Sequence, residues 1–154
     1  KLVPWVAESH TISEDGLTVS FEEESTDFRF YGSRSIQRSI ITSESQTFQT
    51  TFMEHNEVSL AIYHGKSLSA ITPAASTGAF SLTTGTASTQ KYAFVGQIVD
   101  DVRITRIYAP SVQVTARGDL QYSAGNPVQF EVTLTAYPVA GVAIQWFYAL
   151  PNLG

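Results

Sequence analysis

The sequence predicts a mainly β protein, an antiparallel β-sandwich or barrel with one short flanking α-helix at about residues 55–64. Three observations carry this expectation. Most segments alternate apolar and polar side chains with the period of two that a half-buried strand requires. Val, Ile, Thr, Tyr and Phe recur throughout, and Gly and Pro punctuate the runs they form. Only one segment carries helix-capping residues at both ends.

Residues 1–13 have no clear period and contain Pro4, which predicts an N-terminal arm. GLTVSFEEE at 16–24 sets Leu17, Val19 and Phe21 against Thr18, Ser20 and Glu22, a strand with a core-facing side. Residues 25–35 mix aromatics, a glycine and both charges, and are expected to form a long inter-strand loop. RSIITSESQTFQTTFME at 38–54 is a long strand with little to bury: Ser43, Ser45, Thr47, Gln49 and Thr51 alternate with Glu44, Gln46, Phe48, Thr50 and Phe52. The helix follows. Asn56 is placed to cap it, Glu57 lies in its first turn, Val58, Ala61 and Ile62 share a face, and Gly65 stands where a C-terminal cap belongs. The expected core residues are Leu17, Val19, Phe21, Phe48, Phe52 and Ile62.

Residues 67–90 carry no charge and are rich in Ser, Thr, Ala and Gly, which predicts a surface segment with a short strand at Ala79–Leu82. The second half is nearly all strand: 92–99, 101–108, 111–118, 128–138 and 142–150, with breaks expected at Pro110, Gly118, the Gly125–Pro127 turn and Pro138. Asp100 and Asp101 read as a turn between two of them. The 154 residues suffice for a single domain with its own core.

The chain lacks cysteine, so disulfides and thiolate metal sites are excluded. No run of about 18 apolar residues exists to span a membrane as a helix. The sequence begins at Lys1 rather than methionine, which leaves the natural start open. Residues 1–57 hold ten acids and four bases, a balance of −6 against +1 for the remainder. Nucleic-acid binders concentrate the opposite sign. Glu22, Glu23, Glu24 and Asp27 sit on or beside a strand, where neighbours diverge rather than converge on a cation, and read as a solvated or interface-facing strand end. His10, His55 and His64 are the only histidines, and the spacing of the latter two does not put both on one helix face. No nucleophile elbow, phosphate loop or zinc-helix motif is present. The residues predict no enzyme, no cofactor and no metal site. Trp5 and Trp146 keep a second reading open, a secreted or virion β-sandwich that binds carbohydrate or a host surface.

Three stretches, SEDGLTVSFEEESTDFRFYG, RSIITSESQTFQTTFMEHNEVSLAIYHG and RIYAPSVQVTARGDLQYSAGNPVQFEVTLTAYP, resemble in order and spacing the major tail tube proteins of long-tailed bacteriophages. The likeness spans roughly residues 12–143. It implies a virion tail subunit, assembled in the host bacterial cytoplasm, whose partner is itself: hexameric rings stacked into a hollow tube that conducts genome DNA without specific binding and without a membrane. A tape-measure protein and a tail terminator are further partners by analogy. On this reading Ser43, Ser45, Thr47, Gln49 and Thr51 line the lumen, and Phe48 and Phe52 pack behind them. Asp27, Arg29, Arg34 and Arg38 would supply contacts between rings.

Overall fold

A computed structural model describes residues 12–32, 35–36, 38–67, 76–85 and 90–149, with side chains from Gly16 onward. Six strands and one helix follow in the order β1 (Ile12–Phe28), β2 (Arg38–Phe52), α1 (Glu57–His64), β3 (Lys91–Asp100), β4 (Arg103–Arg117), β5 (Phe130–Ala136) and β6 (Gln145–Ala149). The strands form one sheet in the order β1-β2-β5-β4-β3, with β6 paired to β4 beside that path. The architecture is mainly antiparallel with a single short helix, and the sheet stays open instead of closing into a barrel.

β1 carries on to Phe28, four residues into the stretch expected as loop. Its polar Glu, Ser and Thr residues give no strand signal of their own; the ladder with β2 supplies the order. Thr50 Oγ1 donates to the Gly16 carbonyl at 3.3 Å and Thr42 Oγ1 to the Glu24 carbonyl at 3.1 Å. As β1 advances by eight positions β2 recedes by eight, so the two run antiparallel.

β4 runs unbroken through Pro110, where the sequence predicted a break. The reason lies in its partners. On one edge, the β3 register shifts between Tyr92, opposite Val112, and Phe94, opposite Ala109, a bulge that spans Pro110. On the other edge, β6 pairs with Ile104–Tyr108, and the Tyr137 N–H donates to the Ser111 carbonyl at 2.8 Å. Pro110 thus falls where a missing N–H removes no ladder bond. β3 and β4 are joined by a two-residue turn at Asp101 and Val102, with Asp101 at φ 53°, a left-handed conformation that aspartate tolerates. Ala79–Leu82 forms no strand.

Helix α1 is bounded as its sequence demands. Asn56 Oδ1 accepts from the Ser59 N–H at 2.8 Å. At the other end Gly65 has φ 64°, its N–H donates to Ile62 O, and the Lys66 N–H donates to Ala61 O, a Schellman closure. The buried helix residues are Ser59, Ala61 and Tyr63, whereas Val58 and Ile62 are half-buried.

Contacts group the described residues into two compact units. The first takes those within Lys1–Thr18, Gln49–Gln90 and Val114–Thr133. Its core is Phe52, Ala61, Tyr63, Val114, Phe130 and Val132. Tyr63 organises it: the hydroxyl donates to Gly118 O at 2.6 Å, its carbonyl accepts from Arg117 Nε, and its ring meets Phe130 edge-on at 5.6 Å. The second unit takes those within Val19–Phe48, Lys91–Gln113 and Leu134–Gly154. Its core is Phe48, Ile107, Ala109, Val112, Leu134 and Ala136, and Phe48 stacks on Phe94 at 4.8 Å.

Candidate assembly surface

The strand β2 changes character along its length. From Arg38 to Glu44 every side chain is exposed, whichever face it is on. From Ser45 onward the alternation emerges: Phe48, Thr50 and Phe52 are buried, while Ser45, Thr47 and Thr51 are half-buried and Gln49 is exposed. Even positions therefore face the packed side and odd positions the open side. Ser43, also exposed, donates to Glu24 Oε2 at 3.1 Å, which puts a carboxylate of β1 beside it. Gln49 Nε2 donates to Glu131 Oε1, so the open side of β2 carries small polar groups and acids.

Leu17 and Val19 are half-buried. Phe21 is 55% exposed and is not a core residue of the single chain; its ring instead lies 6.4 Å from Trp146. The physical reason is that β1 is exposed from Ser20 to Phe28 on both faces, so nothing among the described residues covers the third member of the apolar row. Glu22, Glu23, Glu24, Asp27, Arg29 and Arg38 are all exposed. Arg34, Trp5 and His10, like most of the expected N-terminal arm, lie outside the described residues.

A cluster of uncovered apolar side chains lies on strands β3, β4 and β6. Directly opposed residues of antiparallel strands share a face. One face thus carries the row Val99–Ile104–Ala149 and beside it Gln97–Arg106–Phe147. The other carries Ile98–Thr105–Tyr148. Val99 is 60% and Tyr148 64% exposed, and Ile98, Val102, Ile104 and Phe147 are exposed too. Gln97 Oε1 accepts two bonds from Arg106, at 3.2 and 2.7 Å, so that guanidinium is held along the sheet. Trp146 is half-buried, with its ring parallel to Tyr148 at 6.3 Å. Apolar exposure on both faces of one sheet tip is costly in water and is the kind of surface that binding to another molecule relieves. Composition alone did not single it out, because period-two alternation identifies a strand but not whether its faces are covered.

Among the described residues no three His, Asp or Glu side chains are grouped to hold a metal ion, and no helix is long and apolar enough to cross a membrane. His55 is exposed and lies 5.6 Å from the Phe130 ring. His64 meets the Tyr63 ring edge-on at 5.3 Å. Partial burial lowers the His64 pKa below its ordinary 6.5, and the positive charges of Arg117 and Lys66 lower it further.

The described residues thus form an open antiparallel sheet whose strand tips leave apolar side chains uncovered, the architecture of a β subunit with surfaces free to meet other proteins. The family model for phage tail tube proteins matches residues 2–149, and the chain belongs to that family. It is a structural component of a phage-type virion tail, assembling into a multimeric tube, and not an enzyme. No curated protein matches it. Among solved structures it is similar to a chain from the virion of a native gene transfer agent particle, at 12% identity, with 88% of this chain and 84% of that chain covered and a TM-score of 0.46.

Proposed function

We propose that six copies of this chain close into a ring, that rings stack into a hollow tail tube, and that genome DNA passes through the lumen during ejection. The observation that carries the reading is the β3-β4-β6 tip, apolar and exposed on both faces, which a lateral neighbour would cover. Ring closure would also shield the free edges of the outer strands, which otherwise invite uncontrolled pairing.

The lumen wall follows from β2. Its open side, Ser43, Ser45, Thr47, Gln49 and Thr51, offers small polar groups, with Glu24 and Glu131 alongside. Such a wall releases no phosphate counterions and gives the DNA backbone no cationic partner, so a polyanion slides past without pausing. The exposed charges Asp27, Arg29 and Arg38, together with Arg34, would contact the adjacent ring. A tape-measure protein inside the tube and a terminator at its end complete the assembly, which takes place in the host cytoplasm.

The test is the double variant Val99→Asp and Phe147→Asp. Both side chains are exposed in the single chain, so the variant should fold with an unchanged circular dichroism spectrum and fail to form tubes in negative-stain micrographs. Tubes of normal number and length from that variant would refute the assignment of this surface to subunit contact.

A further inference from the structure

The chain carries a second pair of exposed surfaces, opposite in charge. The first is the turn that follows β1. Phe28, Phe30 and Tyr31 are exposed, Phe30 by 73%, and Arg29 stands between them with no acidic partner in the described residues. The second is a cleft of about 510 Å³ whose lining includes Glu44, Gln46, Pro138, Val142 and Ala143. One wall is a tight turn: Val139 and Val142 exchange backbone bonds at 2.9 and 3.1 Å, with Ala140 and Gly141 both left-handed between them. That wall is fixed before anything binds. Gln46 Nε2 donates to Glu44 Oε1 at 2.6 Å, so the carboxylate is oriented, yet no basic side chain in the described residues neutralises it.

We propose that the aromatic turn of one copy seats in this cleft on a second copy, with Arg29 meeting Glu44. The inference deepens the tube reading and rests on it. Charge selects the occupant. The other exposed apolar tip, at the β3–β4 turn, carries Asp100 and Asp101 against the single Arg103 and would be repelled by Glu44. Geometry excludes the chain's own turn. Glu44 lies six positions along β2 from Arg38, where that strand begins, roughly 20 Å at the rise of a strand. Tyr31 is three residues past the end of β1, a reach of roughly 10 Å at most. Peg and socket therefore lie apart on one chain. The contact they make is heterologous, and it propagates from copy to copy instead of closing a two-fold dimer.

Charge exchange tests the contact. Arg29→Glu and Glu44→Arg, each alone, should raise the critical concentration for assembly by roughly tenfold, and the double exchange should restore it. The cysteine-free sequence allows a second, independent readout. Tyr31→Cys combined with Ala143→Cys, oxidised after assembly, should give a ladder of covalent dimers, trimers and higher species on a non-reducing gel. Single reversals that assemble like wild type, or a doubly substituted chain that forms tubes without cross-linking, would overturn this contact and leave the tube reading standing. A disulfide formed within one chain would overturn the heterologous geometry. Wild-type protein that forms neither rings nor tubes would overturn both.

Discussion

Phe48→Ala measures how strongly one face of β2 is committed to the core. Phe48 is fully buried and stacks on Phe94 at 4.8 Å, with the rings 30° from coplanar. Truncating such a side chain removes its transfer energy and leaves a cavity, at a cost of about 3–5 kcal/mol. The lost ring pair is contained in that figure. For a chain of this length each kcal/mol shifts Tm by about 2–4 °C, so the expected drop is about 6–20 °C. Thr47→Ala, one residue away on the opposite side of the strand, removes a half-buried hydroxyl and should stay within about 0.5 kcal/mol. Thermal unfolding followed by far-ultraviolet circular dichroism, at a concentration where the protein is monomeric, compares the two. A Thr47→Ala loss equal to that of Phe48→Ala would refute the face assignment, and with it the choice of Ser43, Ser45, Thr47, Gln49 and Thr51 for the lumen.

Further outcomes follow from local geometry. A Cβ at position 118 would stand 2.7 Å from Glu131 Oε2 and 2.8 Å from Glu131 Cβ, so Gly118→Ala forces a shift of the β5 start and should cost about 1–3 kcal/mol in urea unfolding. An unchanged midpoint would show that the approach is looser. Asn56→Ala removes the cap on α1 and should cost about 1 kcal/mol by the same assay; Asn56→Asp keeps the capping acceptor but loses the bond that Asn56 Nδ2 donates to Glu54 Oε2 at 3.1 Å and sets two carboxylates together, so it should also fall below wild type. His64 has a folded pKa below its unfolded value of 6.5. Above 6.5 it is neutral in both states and contributes no slope. As pH falls from there the unfolded chain takes up the proton first, so stability drops until the lower folded pKa is passed. His64→Gln should flatten that part of the stability–pH curve; parallel curves for the two proteins would refute the assignment.

The sequence is most informative where local chemistry and tertiary contacts agree. Asn56 and Gly65 bound α1 in the sequence and in the structure, because a cap needs only its own side chain or its own left-handed backbone. The alternation of Phe48 and Phe52 with small polar residues shows which side of β2 is packed, since one buried aromatic every fourth residue fixes the pleat. The exposure of Phe21 has a related cause. Alternation gives the parity of a side chain but not whether anything covers it, and the exposed length of β1 leaves Phe21 beside Trp146 at the surface. Pro110 predicts a break because proline removes a donor; the bulge opposite it on β3 and the change of partner on the other edge are pairing facts with no local signature. Ser59 is fully buried, but a polar side chain gives the helix pattern no sign of it. The cleft beside Glu44 joins β2 to a turn nearly 100 residues later, beyond the reach of any short motif.

The two proposed surfaces divide the work of assembly. The β3-β4-β6 tip is apolar on both faces and suits a permanent lateral contact. The aromatic turn with its arginine is small and charge-selected, and suits a directional contact between successive copies. Together they account for the long exposed strand segments that a monomer of this size has no reason to retain.

Cryo-electron microscopy of tubes assembled from the purified wild-type chain tests the central claim most directly. The account predicts stacked six-fold rings around a hollow bore, with the odd side of β2 from Ser43 to Thr51 facing the bore and Val99 and Phe147 covered by a neighbour. A solid filament, or a tube whose bore is lined by the β3-β4-β6 tip while β2 faces outward, would contradict it.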